Sequence, residues 1–192
     1  REQITGYMTQ LKEKGLAAAT IARKLAAIKA FYRFMTAEGY MDANPAEVVE
    51  AGTKGIKLPR VLSEDEVVRL LNQPDITTAE GFRDRTMLEV LYATGMRVSE
   101  LISLTLERVD LNMKYIIAFG KGSKERIVPL GSVAAEFLQQ YLEKVRPKLT
   151  HEERNTNIVF LAFGGHELTR QRFWQIIRAY GRKANINKAL TP

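Results

Sequence analysis

The sequence predicts a mainly α-helical chain with one small antiparallel β-sheet (α+β), divided into two units. Three observations predict it. Apolar residues recur three and four positions apart over most of the 192 residues, the spacing of a helix face. The period changes at residues 113–119 and 126–130. There Tyr115, Ile116, Ile117, Ile127 and Val128 flank the turn-rich Gly120-Lys121-Gly122-Ser123-Lys124-Glu125, the pattern of a hairpin. Finally, Ala51-Gly52-Thr53-Lys54-Gly55-Ile56-Lys57-Leu58-Pro59 is basic, Gly-containing and without periodicity. A boundary is placed there: a helical unit over residues 1–52, a linker over 53–60 and a second unit over 61–192.

Taken in order, Ile4, Met8 and Leu11 make the apolar stripe of a first helix, stopped at Gly15. Residues 17–38 carry the clearest pattern. Ile21, Leu25, Ile28, Tyr32 and Met35 line one face, and Arg23, Lys29 and Arg33 fall off it. Gly39 ends that helix, and Asn44-Pro45 opens a short helix near residues 46–49. Ser63-Glu64-Asp65-Glu66 is a capping box in front of Val67, Leu70 and Leu71. Residues 82–94 are so apolar (Met87, Leu88, Val90, Leu91, Tyr92) that they form a buried core helix, broken at Gly95. Residues 98–104 continue as a short helix. After the hairpin come a helix over 133–146 ended by Pro147, a short strand at 158–160, and an amphipathic helix over 169–183.

Composition narrows the function. Lys and Arg number 29 against 22 Asp and Glu, a net charge of +7, and 45% of residues are apolar, enough for a core. No apolar run nears the ~18 residues of a membrane span, and no signal-peptide pattern opens the chain. The absence of cysteine excludes disulfides, thiolate metal sites and thiol nucleophiles. Two histidines, His151 and His166, leave little for a His-rich metal site. The expectation is a cytoplasmic protein with a polyanionic partner, no membrane partner, no metal and no cofactor. From Leu168 onward there are six basic residues and no acidic one, so that segment offers a surface for a phosphate backbone.

Two segments carry chemistry. In Ala93-Thr94-Gly95-Met96-Arg97-Val98-Ser99-Glu100-Leu101 an arginine follows a glycine break between apolar helices. Leu88, Leu91, Leu101 and Leu104 predict a buried joint, where a guanidinium needs acceptors. Those are an internal acid, Glu100 or Glu89, or an external anion, which arginine grips with paired N–H donors. In the hairpin, Lys121 between two glycines suits a point charge on phosphate or a proton donor. An ordinary exposed basic turn is the alternative. A phosphate loop is excluded, since position 115 is tyrosine where that motif needs glycine.

The chain resembles the tyrosine recombinases of the Xer type, in the phage integrase superfamily. The likeness runs through residues 16–45 (with Thr20-Ile21-Ala22-Arg23 and Asn44-Pro45), Leu58-Pro59-Arg60-Val61-Leu62-Ser63, and Thr94-Gly95-Met96-Arg97-Val98-Ser99-Glu100-Leu101. It continues in Gly120-Lys121-Gly122-Ser123-Lys124-Glu125-Arg126 and Thr169-Arg170-Gln171-Arg172-Phe173-Trp174. The resemblance implies a core-binding helical domain followed by a catalytic domain. It implies strand exchange on double-stranded DNA through a 3′-phosphotyrosyl intermediate, and a homo- or hetero-tetramer on paired recombination sites in the full-length protein. Arg97 would stabilise the charged transition state, Lys121 would protonate the leaving 5′-oxygen, and Glu100 would support Arg97. Thr20, Arg23, Arg33, Lys124, Arg170, Gln171 and Arg172 would contact DNA, and Trp174 is read as core. The family continues past Thr191-Pro192 with His-x-x-Arg, a His or Trp, and the nucleophilic Tyr. The 192 residues are therefore expected to be an incomplete form, with the first helix of the core-binding domain also missing. Such a form binds DNA without cutting it. A non-catalytic DNA-binding regulator derived from a recombinase is the other reading left open.

Overall fold

The computed structural model describes residues 1–50, 61–120, 125–150 and 156–190. The chain divides into two compact units, Arg1–Pro59 and Arg60–Pro192. The stretch read as the linker lies outside the described residues, as do Lys121 and Lys124.

In the first unit, α1 (Glu2–Glu13) and α2 (Ala18–Ala37) pack through the stripes the spacing predicts. Ile4, Met8, Leu11, Ile21 and Leu25 are buried, with Ile28 and Tyr32 closing the cluster. Gly15 and Gly39 follow the two helices at φ +71° and +74°, the left-handed conformation that ends each one. Residues 45–48 form a turn rather than the expected helix. Asn44 accepts the Ala46 N–H on its side chain, and Ala46 and Val49 anchor the turn in the core. Side-chain capture of the backbone at Asn44 competes with helix propagation.

The second unit starts with α3 (Glu64–Leu71), held by the expected capping box. The Ser63 N–H donates to Glu66 Oε2 at 2.7 Å, and the Glu66 N–H donates to Ser63 Oγ. Helix α4 (Ala79–Thr94) begins three residues earlier than its apolar pattern, because Thr78 caps the Gly81 N–H. Position 81 must be glycine: a Cβ there would lie 2.0 Å from the Asp75 carbonyl oxygen. Helix α4 is buried on nearly every side. Met87 and Val90 are fully enclosed, each such side chain contributing roughly 1.5–3 kcal/mol. It also buries charge. Arg83 donates from Nε and Nη2 to Asp84 Oδ1 and from Nη1 to the Leu161 carbonyl.

Helix α5 (Val98–Ile102) is two residues shorter than expected. The strands β1 (Val109–Asp110), β2 (Tyr115–Phe119) and β3 (Glu125–Pro129) form one antiparallel sheet in the order β1-β2-β3, with Ile117 opposite Ile127. Ile116 and Ala118 point into the core.

The expectation of one helix ended by Pro147 is corrected. Helix α6 (Ser132–Gln140) widens into a π-turn over Tyr141–Val145, and α7 (Arg146–Leu149) follows with Pro147 in its first turn. A proline near a helix start loses no intrahelical bond, so it opens α7 instead of ending α6. The π-turn places the Tyr141 hydroxyl in the core, where it donates to the Val159 carbonyl and accepts the Leu161 N–H. That bonding also corrects the expected strand at 158–160. The backbone there is satisfied by Tyr141, by the Arg146 guanidinium on the Thr156 and Ile158 carbonyls, and by one bridge from Ile158 to Thr105. Helix α8 (Arg170–Lys183), capped by Thr169, closes the unit.

Candidate active site

The joint between α4 and α5 is built by a sharp change of backbone direction. Gly95 takes φ +58° and caps α4 on the Leu91 carbonyl. The Thr94 hydroxyl donates to the Val90 carbonyl and accepts the Met96 N–H. Leu88, Leu101 and Leu104 are buried around the joint, as the sequence predicts, and Leu91 is partly buried; Met96 and Val98 are buried there as well. Arg97 then stands in extended conformation as the residue that caps α5. A guanidinium has no acceptor, so only one half of a capping box is possible here. Glu100 supplies it, accepting the Arg97 backbone N–H at 2.8 Å.

The expectation of a buried Arg97 guanidinium is corrected: the carboxylate is the buried partner. The Glu100 side chain is 4% exposed and that of Arg97 is 67% exposed. Glu100 Oε1 accepts Nη1 of Arg97 and Nη1 of Arg126, both at 2.9 Å. Its Oε2 accepts Nη2 of Arg126 at 2.7 Å and the Arg97 backbone N–H. Each oxygen takes two donors, so the carboxylate is saturated. Hydrogen bonds from Arg126 first, then those from Arg97, outweigh the cost of burial and hold the Glu100 carboxyl at about 2. Glu89, the other acid considered, pairs with Arg85 instead.

Arg97 and Arg170 line one open cleft of about 620 Å³ with Leu91, Gly95, Met96, Val98 and Ser99. Two arginines from sites 73 positions apart thus meet, one at the start of α5 and one at the start of α8. Gln171 and Arg172 are exposed on the same first turn of α8. Trp174 is half-buried, stacked under Arg178 at 4.7 Å, with its indole N–H on the Leu190 carbonyl. In the first unit, Thr20, Arg23 and Arg33 are exposed on α2. Arg33 lines a cleft of about 540 Å³ with Lys29, Asp42 and Asn44.

The motifs that mark Arg97 and Lys121 give Arg126 no role. The signal was present: Arg126, Val128 and Leu130 alternate at period two, which puts the arginine on the core-facing side of β3. An arginine there needs a carboxylate partner.

An arginine held on the rim of a cleft by a saturated carboxylate, with a second arginine beside it, can bind a phosphodiester through paired N–H donors. The fold that presents it, a mostly helical unit with a small three-stranded sheet, is that of tyrosine recombinase catalytic domains. Residues 60–192 match the Phage integrase family and residues 1–39 match its N-terminal SAM-like domain; the chain belongs to the phage integrase family. Over all 192 residues it is 47% identical to the tyrosine recombinase XerD of Staphylococcus epidermidis and covers 65% of that relative. The crystal structure of XerA recombinase matches 98% of the chain at 27% identity and a TM-score of 0.62, with 63% of that structure covered. The Tn1549 transposon integrase in complex with circular intermediate DNA matches 97% of it at 20% identity and a TM-score of 0.74. The chain covers 65% of that structure, and this likeness is one of fold. The chain therefore spans about two thirds of the length of the curated relatives it matches. Among the described residues no helix is long and apolar enough to cross a membrane.

Proposed function

We propose that the chain is part of a cytoplasmic site-specific DNA recombinase that cuts and rejoins double-stranded DNA through a 3′-phosphotyrosyl intermediate. The observation that carries this reading is the Arg97–Glu100–Arg126 arrangement, in a chain 47% identical over its whole length to a protein named tyrosine recombinase. Among the described residues no tyrosine lines the cleft of Arg97 and Arg170, and the nucleophile is assigned to a tyrosine other than those lining residues. Attack of a tyrosine oxygen on phosphorus forms a new P–O bond and releases the 5′-oxygen, which takes a proton. The covalent link keeps the bond energy for rejoining. Arg97 places N–H donors where negative charge gathers on the non-bridging oxygens, already oriented before the reaction. Lys121 supplies the proton to the 5′-oxygen. Thr20, Arg23 and Arg33 of the first unit and Lys124, Arg170, Gln171 and Arg172 of the second contact the DNA. The working form is a homo- or hetero-tetramer on paired sites.

The test uses the full-length protein and nicked duplexes whose site is recovered by binding selection from random DNA. A covalent protein–DNA adduct should form with wild type and disappear in Arg97→Ala, while DNA affinity is largely kept. Lys121→Ala should cleave slowly and be rescued by a sulfur leaving group at the 5′ position, which departs without a proton. Wild type that binds DNA but gives no adduct would establish a binding protein in place of a recombinase.

A further inference from the structure

We propose that Arg126 is a positioning residue: through the buried carboxylate of Glu100 it fixes the β2–β3 hairpin relative to the Arg97 guanidinium. The inference rests on the recombinase reading for its consequence, but its physical content stands on this structure. Arg126 is the second residue of β3, paired with Ala118 of β2. Its two Nη groups engage both oxygens of Glu100, one on each, a planar two-point contact that fixes orientation as well as distance. The same two oxygens hold the backbone and the side chain of Arg97. One carboxylate is thus the only described polar link between the α4–α5 joint and the base of the hairpin, and every one of its lone-pair directions is used.

Charge gives Arg126 a second role. If Glu100 faced Arg97 alone, the carboxylate would largely cancel the charge that the cleft offers to a phosphate. With Arg126 present the trio keeps a net positive charge, and Arg97 remains an available cation. Arg126 itself is 39% exposed on its side chain and does not line the Arg97 cleft, so it works through Glu100. The connection from β2 to β3 includes Lys121, five positions before Arg126 in sequence. Arg126 therefore fixes against Arg97 the strand that follows this connection.

The experiment compares wild type, Arg126→Met, Arg126→Lys and Lys121→Ala in the full-length protein, with two readouts. The first is amide hydrogen exchange. In Arg126→Met, exchange at Ala118 and Val128, whose N–H groups cross between β2 and β3, should accelerate while the α4 core at Met87 and Val90 is unchanged. Unchanged exchange at the hairpin would overturn the proposal, and equal acceleration everywhere would reduce Arg126 to a general stabiliser, which also overturns it. The second is cleavage. Arg126→Met should lower the single-turnover cleavage rate on the order of tenfold to a hundredfold, the cost of misplacing a reacting group by about 1 Å, with DNA affinity little changed. Arg126→Lys, which keeps the charge but loses the two-point contact, should fall between. A sulfur leaving group should rescue Arg126→Met in part, as it rescues Lys121→Ala, and the two substitutions combined should lose less than the product of their separate losses. Full additivity with no rescue would sink the link to the hairpin. Absence of cleavage in wild type would remove the recombinase reading, while the exchange readout would still decide whether Arg126 fixes the hairpin.

Discussion

Tyr180 on α8 donates its hydroxyl hydrogen bond to Asp84 Oδ2 on α4 at 2.9 Å, across 96 residues of sequence. The other oxygen of Asp84 is taken by Arg83, so a buried ion pair on the central helix is completed by the helix that also carries Arg170. Burial pushes the Asp84 carboxyl up, against the pull of Arg83 and Tyr180; burial first, and then the Asp84 carboxylate, pushes the Tyr180 hydroxyl up.

Tyr180→Phe should therefore destabilise the folded chain by roughly 1.5–3 kcal/mol, the range for a hydrogen bond to a charged group. It should also raise the Asp84 carboxyl further. A raised folded pKa means that ionising Asp84 costs stability as pH rises through that value, and the cost grows in the variant. Thermal unfolding together with an NMR titration of Asp84 checks both. An unchanged Asp84 titration would show that Tyr180 does not act on the carboxylate.

Glu100 has the opposite sign. Its carboxyl ionises at about 2 in the fold against 4.5 for the free side chain. Its pairing contributes stability that is fully present above pH 4.5 and lost as pH falls towards 2. Glu100→Gln should cost roughly 1–3 kcal/mol at pH 7. The gap to wild type should narrow at pH 3. Urea unfolding at the two pH values measures it, and a gap of constant size would mean that ionic pairing is not what the variant removes.

Tyr141→Phe keeps the ring stacked on Phe160, whose centroid is 5.3 Å away, and removes only the hydroxyl. Two buried backbone groups, the Val159 carbonyl and the Leu161 N–H, lose their partner. The expected loss is roughly 2 kcal/mol. Burial pushes the Tyr141 hydroxyl up to about 12, so this contribution should be constant from pH 6 to 9. A loss that varied over that range would assign the effect to another group.

DNA affinity of the full-length protein should fall linearly on a log–log plot against salt. Arg170→Ala and Arg172→Ala should each reduce the slope by about 1 if they meet phosphates. A residue that reads a base edge instead would change sequence preference and leave the slope nearly intact. Filter binding over a salt series separates the two roles.

Much of this site is legible in the sequence. Arg97 and Glu100 stand three apart at a helix start, where an acid in the third position meets the backbone of the cap. The capping box at Ser63 and the stripe of Ile4, Met8 and Leu11 are equally local signals, and all were met. What was not legible depended on distance in sequence. Arg126 lies 26 residues from Glu100, and its choice of partner follows from how β3 packs. Arg83 and Asp84 look like an exposed first turn until α4 is known to be enclosed on nearly every side, with Glu80 and Tyr92 left exposed; a charge on its enclosed face needs a partner. Pro147 reads locally as a stop because the widening at Tyr141–Val145 has no local sequence mark, and only Tyr141's distant partners stabilise it.

One contact sets the order in which the second unit becomes complete. Lys188 donates to Glu66 and to the Val61 carbonyl, joining the segment after α8 to the turn that starts α3, across 122 residues. On the ribosome, α1 and α2 hold neighbouring stretches of chain and can associate as soon as both have emerged. The second unit cannot latch its first helix until residue 188 is outside the exit tunnel. Until then Leu70 of α3 remains uncovered, because Ala184 and Ile186, which pack on it, lie in the same late segment. That interval is where a destabilising substitution in this chain would be felt first, as aggregation of nascent protein before any loss of activity in the finished one.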